Sequence, residues 1–204
     1  MTRPHEDIQH HTAVEHREGG PPIRFPANAW CAIDMLHTKT ERAPAAVSAY
    51  ETLIELARKS TARAGDAAIL KSVDERRVVA LVEVGGHDAL KHLQAAWDDH
   101  HLYNEHRASA ESRALALYQV IAATGDCTFD AASKSVYAFE QFPTAPQQVE
   151  GILPGLASAP GFLGAQIFGT DDGTKSFAIY RFDHRPQIEA LRSNAVIAHP
   201  VKTF

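Results

Sequence analysis

The chain predicts an α+β fold made of two copies of one β-α-β-β-α-β plan. Three observations carry that expectation. Short runs of alternating, β-prone residues are separated by longer segments with apolar residues at helical spacing. The runs recur in the same order along the two halves of the chain. Each half also carries a tight-turn sequence between its second and third runs: Asp74-Glu75-Arg76 in the first and Asp171-Asp172-Gly173 in the second.

The first copy opens with AWCAIDMLHTK at residues 29–39, which alternates as a strand does. Cys31, Ile33 and Met35 fall on one face, Asp34 and Leu36 on the other. Asp34 and His37 are three apart and so cannot form a dyad on one face. Pro44 suits a helix start, and Val47, Tyr50, Leu53, Ile54 and Ala57 keep helical spacing across residues 45–63. Gly65 and Asp66 stop that helix. Residues 67–73 and 77–84 read as a hairpin, and Gly85-Gly86 ends its second strand. Residues 87–109 read as one helix with Leu90, Leu93, Ala96 and Trp97 on one side. ALALYQVIA at 114–122 is the fourth strand.

Residues 125–134 read as a polar linker. SVYAFEQF at 135–142 alternates as a strand, with Glu140 facing either the inside of the fold or solvent. A helix follows over 146–157, weakened in its second half by Gly151, Pro154 and Gly155. Residues 164–170 and 176–183 flank the second turn; Tyr180 and Arg181 point to opposite faces. Residues 186–198 read as the second helix, with Ile188, Leu191 and Ala195 along one side. Only VKTF follows Pro200. The fourth strand of this copy is therefore expected to be short, missing or supplied from elsewhere, with VKTF favoured over PIRFP at residues 22–26.

Composition narrows the function. The 204 residues carry a formal net charge of −5, so no basic field calls for nucleic acid. No apolar run reaches the ~18 residues of a membrane span. Two cysteines, Cys31 and Cys127, cannot make a disulfide framework or a four-cysteine zinc site. Residues 1–24 form a polar arm holding His5, His10, His11 and His16; a solvated flexible segment is preferred over a metal-binding tail. With no signal peptide read in that arm, a cytoplasmic protein is expected. The two folded units are then 25–125 and 134–204.

Each four-stranded sheet would carry helices on one face and leave the other open. Two open faces brought together bury both, close a barrel-like sheet and leave a cleft for an apolar ligand. With these features the chain resembles the dimeric α+β barrel proteins. Within them it is most similar to the antibiotic-biosynthesis monooxygenase group, as a tandem fusion of two ferredoxin-like halves. The resemblance spans 29 to about 199. It rests on RRVVALVEV followed by Gly-Gly and a helix with Trp97 and several histidines, and on PGFLGAQIFGTDDGTKSFAIYRF at 160–182.

That resemblance implies a small-molecule oxygenase acting on a phenolic or polycyclic aromatic substrate with O₂ and no cofactor. In such enzymes a Trp and a Tyr six positions later line the pocket, as Trp97 and Tyr103 do in spacing. Leu93 stands where those enzymes carry an Asn, with Gln94 adjacent as an amide, and Arg113 lies in the region of their Arg. A cation or donor there would stabilise a phenolate, and a dry pocket would shield a radical pair. Heme-degrading members of the fold imply a second reading. Trp97 would distort the macrocycle and His106, nine residues on, would ligate iron, although Cys31 occupies the first-strand position where those enzymes have Asn. A third reading makes Trp97 a core residue and the protein a non-catalytic binding or stress-related barrel. No metal site is expected: His100 and His101 are adjacent, and no His-Glu-x-x-His occurs. GTDDGTKS at 169–176 is a hairpin turn and not a phosphate loop. Dimeric relatives and the short last strand together imply further association into a homodimer.

Overall fold

A computed structural model describes residues 20–59, 64–101, 104–105, 108, 110–143, 145–146, 149, 151, 153–184 and 195–204. The first half contains β1 (Trp30–His37), α1 (Ala43–Lys59), β2 (Ala67–Ser72), β3 (Arg77–Val84), α2 (His87–Asp98) and β4 (Ser112–Gly125). The second contains β5 (Val136–Phe142), α3 (Leu153–Ala157), β6 (Phe162–Gly169), β7 (Ser176–Phe182) and β8 (Val196–Thr203).

All eight strands join one closed antiparallel barrel in the order β1-β3-β2-β8-β5-β7-β6-β4. Each half contributes the same local order, with the last strand beside the first and the hairpin beyond it. The halves meet twice, where β2 pairs with β8 and β4 pairs with β6. This is the dimeric α+β barrel architecture of two ferredoxin-like halves, closed here within a single chain. No described helix is long and apolar enough to cross a membrane.

Period-two alternation sorts the side chains into inner and outer layers. Cys31, Ile33, Leu70, Val79, Leu81, Tyr118, Phe139, Phe168, Phe177 and Ile179 fill the barrel. Ile23, Phe25, Cys127 and Phe129 belong to the same core and close one end, where Ile23 and Phe129 bridge backbone to backbone. Gln166 donates from Nε2 to the Phe25 carbonyl at 2.7 Å and ties that plug to β6. Arg181 faces inward near the same end and binds Asp126 at 2.6 Å and the Ser135 hydroxyl at 3.1 Å. Outside the barrel, α1 and α2 cover the first half's sheet, and residues including Val149, Leu153 and Leu156 cover the second's.

Several expectations need correction. The barrel interior is packed with side chains and is not an open apolar cleft. The arm expected through residue 24 is packed from Ile23 onward, because an apolar residue there plugs the barrel. The segment 125–134 is more than a polar linker, since Cys127 and Phe129 are buried. α2 ends at Asp98 instead of continuing unbroken to 109. β4 begins two residues earlier than read, at Ser112, and runs on to Gly125.

The largest departure is β8. Val196, Ile197 and Ala198 were assigned to a helix and lie in a strand of eight residues. Pro200 sits inside it, where the register with β2 shifts between Ile69 and Leu70. A bulge of this kind accommodates a proline that a regular ladder would not. The favoured VKTF segment does contribute Val201–Thr203, but as the end of a longer strand. The last strand is thus present, and the case for a homodimer built on its absence falls away.

Candidate functional site

The outer layer of the first half is apolar except for one buried ion pair. Asp34 on β1 is fully buried, and its carboxylate faces the helices because Ile33 and Met35 on either side face the barrel. Arg113 on β4 lies one strand away, opposite Leu36 in the ladder. Its Nε donates to Asp34 Oδ1 at 2.9 Å and Oδ2 at 3.1 Å, and its Nη2 donates to Oδ2 at 3.0 Å. The Asp34 side chain is 1% exposed and that of Arg113 15%, so solvent reaches the pair only from the arginine side.

Tyr50 of α1 closes over this pair. Its hydroxyl faces the Asp34 carboxylate and helps to hold it in the charged form. Burial pushes its phenol well above the ordinary value, and the Asp34 charge pushes it further. Burial also raises the Asp34 carboxyl, and the Arg113 guanidinium offsets that only in part. Taking a carboxylate and a guanidinium from water costs several kcal/mol per ion, so this polar cluster in the outer layer is the candidate site of the first half.

Trp97 stands beside Tyr50, ring centroids 6.0 Å apart in an edge-to-face arrangement. It is 1% exposed, packs in the core between α1, α2 and the sheet, and donates from Nε1 to the Leu53 carbonyl at 3.3 Å. Its aromatic face therefore forms one wall of the polar cluster while its N–H is already engaged.

The structure thus brings together two of the residues named from sequence, Trp97 and Arg113. It does not bring Gln94 to them: Gln94 is exposed on α2, at the flank of the buried Leu93–Trp97 stripe. Tyr103 and His106 lie outside the described residues. Asp34 and Tyr50 belong to this cluster and are not among the candidate site residues read from sequence. Asp34 had been placed correctly on the face opposite Ile33, but its partner is 79 positions away. Nothing local predicts a β1–β4 register.

The second half holds a weaker counterpart. Glu140 is buried on the outward face of β5, at the position matching Asp34 when CAIDML is laid on YAFEQF. Its neighbours Phe139 and Gln141 lie on the barrel side, so Glu140 points neither into the barrel nor to solvent, the two orientations expected, but is buried in the outer layer. Tyr180 packs in the same outer layer and Arg181 points inward. Both tryptophans of the chain, Trp30 and Trp97, lie in the first half.

Comparison with solved structures shows the same fold at low sequence identity. An anthrone oxidase-like protein superposes with a TM-score of 0.67 at 14% identity, covering 90% of this chain and 96% of its own. A proposed monooxygenase from Fusobacterium nucleatum matches with a TM-score of 0.51 at 9% identity, covering 87% and 94%. One from Lactobacillus acidophilus gives the same score and identity, covering 87% and 98%. No family model matches the chain, and no curated protein matches it in sequence.

Proposed function

We propose that the protein is a small-molecule oxygenase that oxidises a phenolic or polycyclic aromatic substrate with O₂ and without a cofactor. The observation that carries this reading is the buried Asp34–Arg113 pair with the Tyr50 hydroxyl and the Trp97 ring beside it. The fold shared with an anthrone oxidase-like protein and with proposed monooxygenases supports it.

The chemistry fits the residue types. The substrate must lose a proton before it can give an electron to O₂. Asp34, with its carboxyl raised by burial, is suited to accept that proton. Arg113 then stabilises the resulting oxyanion, and Tyr50 turns its hydroxyl from Asp34 to the same oxygen. The anion passes one electron to O₂, and the radical pair recombines as a hydroperoxide. Loss of water leaves a carbonyl where a CH₂ stood, so O₂ supplies one oxygen to product and one to water. The apolar wall of Trp97, Leu53 and Leu93 keeps bulk water from the radical pair.

The test is oxygen uptake by purified protein with a panel of anthrones and hydroquinones, beside an absorption spectrum with and without added hemin. Uptake matched to quinone formation, with no Soret band formed on adding hemin, is the expected result. A protein that neither consumes O₂ with the panel nor binds its members contradicts the proposal. A Soret band lost on His106→Ala would transfer the case to a heme enzyme.

A further inference from the structure

Two cavities lie among the described residues at the end of the barrel opposite the plug. One, of about 240 Å³, is lined by Met35, Arg77, Phe139, Gln141 and Val196. The other, of about 250 Å³, is lined by Val73, Asp74, Arg77, Ala195, Val196 and Ile197. Both are lined by Arg77 and Val196.

Arg77 is an unusual residue at this place. It opens β3 on the same face as Val79 and Leu81, so alternation aims its side chain to the barrel side. The guanidinium is half-buried and forms no hydrogen bond or ion pair with any described residue. Asp74, across the turn, feels its charge, but that carboxylate is already engaged by the Ser72 hydroxyl at 2.5 Å and the Arg76 amide at 3.1 Å. Around the guanidinium stand a thioether, a phenyl ring and a branched aliphatic side chain: Met35, Phe139 and Val196. Phe139 is stacked on Phe177 at 5.8 Å, which fixes its ring as a wall. Gln141, whose Nε2 donates to the Tyr118 hydroxyl at 3.3 Å, adds an amide at the rim.

We propose that this mouth is a binding site for an aryl carboxylate. Its carboxylate pairs with the planar Arg77 fork, and its ring lies between Met35, Phe139 and Val196. The site is separate from the outer-layer cluster, because Met35 and Asp34 point to opposite faces of β1. It does not rest on the oxygenase reading.

The probe is 2-naphthoate, followed by backbone amide shifts in the ¹⁵N-labelled full chain, with neutral 2-naphthamide as comparison. Saturable shifts centred on Met35, Arg77, Gln141 and Val196 are expected, with the amide weaker by about tenfold or more. Arg77→Gln should weaken naphthoate by a similar factor, and the exposed neighbour Arg76→Gln should leave it unchanged. Should Arg77→Gln fail to fold, Gln141→Trp at the exposed rim narrows the mouth and should block naphthoate in a protein of normal melting temperature. Absence of saturable shifts, shifts centred elsewhere, equal binding of the amide, or unchanged binding by either site variant overturns the proposal.

Discussion

Asp34 and Arg113 are held by geometry that neither side chain would tolerate alone. Removing one partner strands the other. Asp34→Asn is expected to cost about 3 kcal/mol, and Arg113→Met as much or more, since a carboxylate with 1% exposure would be left unpaired. Replacing both, as Asp34→Leu with Arg113→Met, should restore stability to within about 1 kcal/mol of the parent, because a well-packed apolar pair escapes the desolvation cost. Urea melts of the four proteins check this; a double variant as weak as either single one would contradict it.

The same pair gives a signed pH dependence. Asp34's folded pKa lies above its unfolded value, so the folded state holds this proton more tightly. Its contribution is therefore fully present below the unfolded pKa and is lost as pH rises through the folded one. Relative to the double variant, the parent should lose stability as pH rises from about 3 through the raised titration. A difference that grows in the parent's favour over that range would show the arginine dominating instead. Trp97 has a simpler expectation. Trp97→Ala should cost about 3–5 kcal/mol, read as a fall in melting temperature, from the void between α1, α2 and the sheet.

At the scale of elements, β8 decides whether the barrel closes. Its inner partner strands are β2 and β5, one from each half. Residues 201–204 carry the Ala68–Thr203 and Ile69–Lys202 pairings, and Phe204 exchanges backbone hydrogen bonds with Ala67 in both directions. Deleting 201–204 strips the end of β2 of its partner. A loss of about 3–4 kcal/mol, or roughly 10 °C in melting temperature, is expected, with association through the bared edge. Unchanged melting and unchanged oligomeric state would show that this ladder contributes nothing.

β8 also shows what local pattern can and cannot reveal. Val196, Ile197 and Ala198 are β-prone, but an apolar run ending before a proline reads equally well as a helix terminus. Only pairing with β2 turns Pro200 into a bulge. The hairpins β2–β3 and β6–β7 were legible because their turns are written in adjacent residues. Helix α1 was legible for the same reason, down to the buried positions Val47, Tyr50, Leu53, Ile54 and Ala57. Its spacing said that Tyr50 faces the core; it could not say that the hydroxyl meets Asp34. Arg113 stood just outside the strand as first bounded, and including it needed the β1–β4 register.

For the molecule as a whole, the two halves are equal in topology and unequal in chemistry. Repetition of the plan was visible in the order of the elements, and closure of the barrel followed from two open sheet faces. The filling of that barrel by its own large side chains, with the segment around Ile23 and Phe25 as a plug, was not, because the plug comes from stretches that read as arm and linker. The proposed site therefore lies in the outer layer of the first half, where the Asp34–Arg113 pair meets Tyr50 and Trp97. The second half keeps Glu140 at the matching position but lacks a tryptophan.

The most direct measurement compares oxygen uptake by the parent and by the Asp34→Leu, Arg113→Met double variant on the same anthrone substrate. The variant is expected to keep the fold, which its urea melt checks, so that only the site differs. The account predicts turnover by the parent and a fall of about 100-fold or more in the variant, the scale of losing an oxyanion-stabilising cation in a dry pocket. A folded double variant that consumes oxygen at the parent's rate would place the reaction elsewhere and contradict the account.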